Sequence, residues 1–202
     1  MYTLTEEDRL TWQQLALDCQ GIQKYAAQLA PLGDWAEFGT AKGGSASVML
    51  PYLPPTSRFY LFDSFKGLSE DWAVGDKVHF RKGAFRTKPP VFDDDRVVIV
   101  KGWFENTLPR WCKKRKKPLS FVHIDCDLYS STMCVLENIC PFLVNGSLIL
   151  FDEFKGRVFH EEHEQRAFNV FFERAGIEPP MRVAEGVFAQ VLFRWQNFKT
   201  FI

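Results

Sequence analysis

The sequence has no net charge, no long apolar run and no paired cysteine motif. Its 25 basic residues balance 25 acidic ones, so no general electrostatic field attracts nucleic acid or an anionic membrane. No stretch approaches the roughly 18 consecutive apolar residues that a membrane-spanning helix needs. The opening residues, MYTLTEEDRL, are polar and acidic, unlike a secretory leader. These absences predict a cytoplasmic protein without a nucleic-acid or membrane partner.

The cysteines are too scattered to form a structural frame. Their number is odd and no two of them stand in a CxxC pair, which argues against a disulfide framework and against a zinc site. We expect reduced thiols at all five positions, which are Cys19, Cys112, Cys126, Cys134 and Cys140.

Continuous apolar runs alternate with helical patterns along the chain. The runs begin near Asp34, Arg58, Arg96, Leu119 and Ser147. Because they do not alternate with polar residues, they indicate strands covered on both faces of a parallel sheet, and the alternation with helices indicates an α/β fold. We expect one domain over residues 1–202, with a helical cover in residues 1–33 that opens on a capping box of Thr3 and Glu6.

Residues 66–95, called the excursion below, break this rhythm. They show neither helical nor strand periodicity, and connections of this length without clear structure are often functional. One interpretation is a surface excursion that contains a poorly patterned helix. The other is a lid over the active site. Residues that could line a pocket there, or equally pack the excursion onto the sheet or form a subunit contact, are Trp72, Phe80, Phe85, Arg86 and Phe92.

Acidic residues end four of the five predicted strands. They are Glu37, Asp63, Asp125 and the pair Asp152 and Glu153. Because the carboxyl ends of parallel strands meet at one edge of the sheet, where ligands bind, these acids are expected to converge there.

The first strand runs into a glycine-rich turn, from Glu37 to Ser45. Glycines let a backbone approach a ligand closely, and the following helix offers free N–H donors. The turn matches neither a Walker loop nor GxGxxG, and Glu37 favours a cationic ligand over a polyanion. The alternative is a tight connection without a ligand.

Two further interpretations rest on the strand ends. Asp63 occupies the position where dinucleotide folds bind ribose hydroxyls, although it is also suited to cap a helix. Asp125, Asp152 and Glu153 would repel one another unless a cation lay between them, and oxygen ligands suit Mg²⁺; separate helix caps and salt bridges are the alternative. Asp127 is a candidate ligand, supporting residue or proton acceptor, and Ser131 or Thr132 is expected to cap the next helix.

The series EFGTAKGGSA, FDSFKGL, VKGWFENTLP, HIDCDLYSST and GSLILFDEF resembles class I S-adenosylmethionine (SAM)-dependent methyltransferases, and within them the macrocin O-methyltransferase family. The resemblance covers roughly residues 35–155. It implies a Rossmann-like, doubly wound, seven-stranded sheet, mostly parallel with one antiparallel strand, and a homodimer as the usual assembly.

The resemblance also implies roles for single residues. Those expected to face the methionine end of the cofactor are Glu37, Gly39, Thr40, Gly43, Gly44 and Ser45. Asp63 would hold the ribose with Ser64 and Phe65 beside it, while Gly102 and Trp103 would border the adenine. Asp125 would touch the cofactor and also form a metal triad with Asp152 and Glu153, where Glu153 departs from the usual Asp or Asn.

The implied reaction is Mg²⁺-assisted O-methylation of a hydroxylated small molecule, a sugar or a natural product. Positioning dominates such a displacement. Asp127 is the first candidate for the base that takes the hydroxyl proton, with His160 and His163 as alternatives. A non-methylating relative, either hydroxylase-like or a binding scaffold, is the alternative function. A nicotinamide oxidoreductase is disfavoured by the glycine spacing and Glu37. The basic run 113–117 is interpreted as a solvated loop rather than a nucleic-acid contact.

Overall fold

A single seven-stranded sheet organises the molecule. The computed structural model describes residues 17–74, 78–155 and 162–196, so the candidate capping box of Thr3 and Glu6 lies outside the described residues. The strands are β1 (Asp34–Phe38), β2 (Phe59–Asp63), β3 (Trp72–Val74), β4 (Val78–Phe80), β5 (Val97–Lys101), β6 (Leu119–Ile124), β7 (Leu143–Phe151), β8 (Met181–Glu185) and β9 (Val191–Arg194). The helices are α1 (Cys19–Leu29), α2 (Gly44–Met49), α3 (Phe104–Lys114), α4 (Tyr129–Ile139) and α5 (Glu164–Ala175).

The strand order in the sheet is β5-β2-β1-β6-β7-β9-β8. The first five of these pair in parallel, and β9 alone runs antiparallel to its neighbours β7 and β8. The prediction of a mostly parallel, seven-stranded α/β sheet is confirmed. The order turns outward in both directions from β1 and β6, which places the ligand-binding crevice beyond their carboxyl ends.

Both faces of the sheet are covered, as the continuous apolar runs predict. Every residue of β1 and β6 is buried. One core cluster packs Phe38, Ile124 and Phe151 against α3, α4 and α5, while the other packs Trp35 and Phe121 against α1 and α2. None of the helices in the described residues combines the length and apolar character that crossing a membrane requires.

The excursion contains a hairpin rather than a helix. Its described residues form the antiparallel pair β3 and β4, with the Trp72 and Phe80 rings stacked at 5.2 Å between centroids. Backbone hydrogen bonds join Leu68 to both Gly83 and Ala84 and close the base of the loop. The helical alternative was wrong because cross-strand aromatic pairs, not a helical stripe, bury the apolar residues here.

One local prediction is wrong and another holds only in part: Lys113, Lys114, Lys116 and Lys117 of the basic run are exposed as predicted, but Arg115 is not. Helix α4 begins at Tyr129 with Leu128 at the N-cap, and Thr132 is buried in its first turn with Oγ1 donating to the Leu128 carbonyl at 3.0 Å. In the basic run, Arg115 is no solvated residue: its side chain is 4% exposed, pairs with Asp34 at 3.3 Å and lies over the Trp111 ring. Contacts with buried partners determine the environments of Thr132 and Arg115. The residues next to them in the sequence do not predict these contacts.

Candidate active site

A cavity of about 320 Å³ opens at the carboxyl edge of the sheet. Strand ends β1, β2, β5, β6 and β7 and the excursion all contribute to its wall. The lining residues are Gly39, Ala41, Asp63, Ser64, Gly67, Leu68, Ser69, Trp72, Phe85, Gly102, Trp103, Phe104, Glu105, Asp125, Cys126, Asp127, Leu128, Ser131 and Glu153. The cavity therefore lies at the carboxyl edge of the sheet, where the acidic residues were predicted to converge.

The lining includes part of the predicted cofactor set. Gly39, Asp63, Ser64, Gly102, Trp103 and Asp125 contribute to the wall. The other six predicted cofactor residues, Glu37, Thr40, Gly43, Gly44, Ser45 and Phe65, are not among the lining residues. Trp72 and Phe85 of the excursion also line the cavity, so this segment forms part of its wall.

The end of β1 lies against the end of β6 because residue 39 is glycine. Gly39 has φ +98°, and a Cβ added there would lie 1.6 Å from the Asp125 carbonyl oxygen. Its N–H donates to the Phe62 carbonyl at 3.0 Å, and the Asp125 N–H donates to the Phe38 carbonyl at 2.9 Å. No side chain fits between these two strand ends, so the glycine keeps the cavity floor closed.

We expect Gly39→Ala to lower the free energy of unfolding by roughly 3 kcal/mol or more, because backbone must move and φ is unfavourable. Gly44 offers a matched control in the same turn. It begins α2, and a Cβ there would meet nothing within 4 Å, so Gly44→Ala should be neutral or stabilise by about 0.5–1 kcal/mol. Urea unfolding of both variants checks this; equal losses would contradict it.

Asp63 holds two turns of the cavity wall. Its Oδ2 accepts from the Ala41 N–H at 2.7 Å, and its Oδ1 accepts from the Phe65 N–H at 2.6 Å. Ala41 and Phe65 both have positive φ, at 46° and 56°, so the carboxylate stabilises a strained backbone. The described residues between Asp63 and α3 form no helix, so the helix-capping alternative is wrong. Each carboxylate oxygen keeps a second lone pair for a ligand hydroxyl.

Glu37 lies beneath the glycine turn, inside the protein. Its side chain is fully buried, and Oε1 accepts from the Ser45 hydroxyl at 2.5 Å and lies 2.9 Å from His123 Nδ1. His123 is also fully buried, and its Nε2 lies 3.8 Å from Asp152 Oδ1. Burial alone lowers the pKa of His123, but the Asp152 and Glu37 carboxylates raise it well above its ordinary value. A chain of alternating charges thus runs behind the cavity.

Sequence reasoning missed His123. The signal was a histidine inside the apolar run LSFVHI, because a polar residue in a strand buried on both faces requires a partner. That partner comes from β1, which pairs Glu37 directly opposite His123.

The predicted metal triad is divided between two clusters that share Asp125. One contains His123, Asp125 and Asp152, the other Asp125, Asp127 and Glu153; in each, the potential ligand atoms lie within 4.8 Å of one another. Asp152 also accepts from Gln190 Nε2 at 3.2 Å and is not part of the cavity wall. All three residues of the second cluster line the cavity.

Like charges crowd this edge of the sheet. Burial and the Asp152 carboxylate raise the pKa of Asp125, and burial and Asp127 raise that of Glu153. Burial raises the pKa of Asp127 to about 7, although a hydrogen bond with Glu153 lowers it. Acids so placed fit a site that receives positive charge.

Glu164 is a fifth acid of the cluster that the sequence did not single out. It is fully buried at the start of α5 and accepts from the Cys126 N–H at 3.3 Å and from the Glu153 N–H at 3.0 Å. Burial raises its pKa to about 8, although these backbone bonds lower it. Glu162 and Glu164 stand two positions apart in the sequence, and no local signal predicts that Glu164 is buried and Glu162 exposed.

Of the two candidate histidine bases, His163 is the one within the described residues, and His160 lies outside them. His163 occupies the N-cap position of α5, and its Nε2 lies 2.7 Å from the Ala73 carbonyl of the excursion hairpin. It is not among the residues that line the cavity, whereas Asp127 is.

The ligand-free protein should lose stability as the pH rises. Asp127 and Glu164 have ordinary pKa values of 3.8 and 4.5 and folded values of about 7 and about 8. Between these limits the folded protein keeps protons that the unfolded chain has lost, so the free energy of unfolding falls with pH. We expect the melting temperature to drop on the order of 5 °C between pH 6 and pH 8.5. A flat or rising Tm in differential scanning fluorimetry would contradict the charge crowding.

Comparison with known proteins identifies the family of the chain. Residues 2–191 match the model of the family described as Macrocin-O-methyltransferase (TylF). A sequence relative is the 8-demethyl-8-(2,3-dimethoxy-alpha-L-rhamnosyl)-tetracenomycin-C 4'-O-methyltransferase of Streptomyces olivaceus, with 29% identity over 174 residues. That match covers 76% of this chain and 63% of the relative, so the chain spans less than two thirds of its length.

Solved structures share the fold. The calicheamicin methyltransferase CalS11 superposes with a TM-score of 0.66 at 21% identity over 96% of this chain and 82% of that one. The O-methyltransferase TomG from Streptomyces achromogenes, in complex with SAM, gives 0.55 at 14% identity over 95% and 87%. With the family model matching nearly the whole chain, the protein belongs to the macrocin O-methyltransferase family.

Proposed function

We propose that the protein is a SAM-dependent O-methyltransferase that acts on a hydroxyl of a small sugar-bearing or natural-product acceptor. One observation supports the proposal: Gly39 and Asp63 line the same cavity as the carboxylates of Asp125, Asp127 and Glu153. The first pair suits a nucleoside cofactor, and the acids suit a cationic sulfonium and an ionising hydroxyl.

The residues present fit the cofactor. Gly39 lines the cavity where β1 ends, and Asp63 retains lone pairs for ribose hydroxyls beside Ser64 and Phe65. Gly102 and Trp103 supply the adenine side of the wall. At the methionine end, Thr40 Oγ1 and Glu37 Oε2 are buried without a hydrogen-bond partner in the described residues, which supports a polar ligand group near this turn.

The donor set also fits a hard divalent cation such as Mg²⁺. Asp125, Asp127 and Glu153 offer carboxylate oxygens within 4.8 Å of one another, and Glu153 Oε2 is buried without a hydrogen-bond partner in the described residues. When bound, SAM supplies the electrophilic methyl group and the divalent cation supplies Lewis acidity toward the acceptor hydroxyl. Asp152, the remaining member of the predicted triad, would support the site through its contacts with His123 and Gln190.

The chain's own residues position the acceptor and take its proton. Asp127 lies in the cavity wall, and a carboxylate oxygen of Asp127 that does not hold the cation is the base for the acceptor hydroxyl proton. Trp72 and Phe85 place aromatic surface over the cavity for the acceptor. Aligning the hydroxyl with the methyl group then supplies most of the acceleration.

The excursion acts as a lid in this proposal. Two polar contacts hold it over the cavity: the Ser130 hydroxyl donates to Glu70 at 2.6 Å, and His163 contacts the Ala73 carbonyl at 2.7 Å. Breaking both would admit ligands, and remaking them would exclude water. Five free thiols are compatible with a reducing, cytoplasmic location. The homodimer stays a prediction, which the molar mass from light scattering would test.

A methyl-transfer assay tests the proposal. The purified protein is incubated with methyl-labelled SAM, Mg²⁺ and a panel of rhamnosylated aromatic polyketides, matched to their aglycones and to O-methylated counterparts. We expect label in glycosylated, unmethylated acceptors only. Cofactor binding without transfer to any hydroxylated acceptor would favour the non-methylating alternative, and label on nitrogen or carbon would contradict O-methylation.

A further inference from the structure

We infer that Glu164 is a positioning residue that fixes the separation between the two loops carrying the acidic cluster. This inference rests on the proposed function for its catalytic consequence. The loops follow β6 and β7, and they carry Asp125 with Asp127 and Asp152 with Glu153.

The backbone hydrogen-bond ladder between β6 and β7 stops just before the two acidic loops. The strands pair as far as Ile124 and Phe151, and the final bond runs from the Asp152 N–H to the Ile124 carbonyl at 2.9 Å. Just beyond it, the N–H groups of Cys126 and Glu153 both point to the Glu164 carboxylate. One side chain therefore continues the connection that the sheet no longer provides.

Glu164 offers the two N–H groups something that no other residue type of its size offers. Its carboxyl group is fully buried near four other acidic side chains and has two oxygens on one rigid fork, each with a lone pair that accepts from one N–H donor. The fork therefore holds the two donors at a fixed separation. Those donors belong to residues directly beside Asp125, Asp127 and Asp152.

The start of α5 also contacts the excursion beside the cavity. Glu164 is the first residue of α5. Its neighbour His163 contacts the Ala73 carbonyl of the hairpin at 2.7 Å and the Trp72 ring at 5.9 Å between centroids. The start of α5 thus contacts both the acidic loops and the excursion.

The cofactor wall is held by other bonds, which separates the two effects. Asp63 fixes Ala41 and Phe65, and Gly39 is bonded to Phe62. Loosening Glu164 should therefore misalign the acidic loops without removing the nucleoside side of the site. Misplacing reacting groups by about 1 Å costs roughly 100-fold in rate.

The test compares Glu164→Gln with Glu162→Gln, which makes the same change at an exposed position two residues earlier. Glutamine keeps the shape but replaces one acceptor oxygen by an N–H₂ group facing a backbone N–H. We expect kcat to fall 10- to 100-fold in Glu164→Gln, with the KM for SAM changed less than about threefold. Glu162→Gln should match wild type in both.

Hydrogen exchange gives a readout that does not need turnover. Peptides spanning residues 125–128 and 152–155 should lose amide protection in Glu164→Gln and keep it in Glu162→Gln. Unchanged protection, or loss of kcat together with equal loss of SAM affinity, would overturn the inference. If wild type transfers no methyl group, only the proposed function fails, because exchange still decides the role of Glu164. If the glutamine variant does not fold, Glu164→Asp replaces it in both measurements, because aspartate keeps the carboxyl group but is one methylene shorter.

Discussion

Asp127→Asn should lose at least about 100-fold in kcat, the magnitude typical of removing a general base, and yet melt at a higher temperature than wild type at pH 8. The side chain lines the cavity, and burial raises its pKa to about 7. Asparagine keeps the size of the side chain but takes no proton. It also removes one charge from a crowded cluster, which stabilises the folded state.

Asparagine is the right replacement because of the backbone. Asp127 has φ +61°, a conformation that asparagine adopts more readily than alanine does. Asp93→Asn, at an exposed position outside the cavity wall, is the matched control and should change neither rate nor Tm. An Asp127→Asn enzyme with more than a third of wild-type kcat would remove Asp127 from the mechanism, and a lower Tm at pH 8 would contradict the charge crowding.

Asp63→Asn should weaken SAM binding by roughly 30- to 100-fold, since hydrogen bonds to a charged group contribute about 1.5–3 kcal/mol. The substitution removes the charged acceptor for the ribose and turns one amide N–H₂ toward the N–H of Ala41 or Phe65. Both of those residues have positive φ, so a drop in the free energy of unfolding of about 1–2 kcal/mol should accompany the loss.

Isothermal titration with SAM measures the affinity, and urea unfolding measures the stability. Asp95→Asn, at an exposed position outside the cavity wall, is the control and should leave both unchanged. A SAM dissociation constant within threefold of wild type would show that Asp63 serves only the turns that it holds.

The sequence was sufficient for the frame of the site because the frame depends on pattern. Apolar runs without alternation predict covered parallel strands, and parallel strands bring their carboxyl ends together. Asp63, Asp125 and Asp127 could therefore be assigned to one edge from their positions alone. Gly39 follows from the same logic, since it stands where two strand ends meet.

The remainder depends on contacts between distant residues. Glu37 was expected in the cavity wall, but β1 pairs it with His123 on β6, 86 positions away, and it turns inward to that partner. Glu164 reaches Cys126 from 38 positions away. Such pairings follow from strand register and helix placement, which no local motif specifies.

The division of the metal triad has the same origin. Asp152 and Glu153 are adjacent in sequence, but successive residues at a strand end project to opposite sides. Asp152 joins His123 and Gln190 behind the wall, whereas Glu153 lines the cavity with Asp125 and Asp127. Sequence identifies two acids at the right edge and leaves open which one faces the ligand.

Calorimetric titration of the purified protein with SAM and with NAD, each with and without Mg²⁺, tests the central claim most directly. We expect SAM to bind at one site per chain and NAD to give no binding heat, because the glycine turn lacks the GxGxxG spacing that suits a pyrophosphate. No heat with SAM, or saturable binding of NAD in its place, would contradict the account.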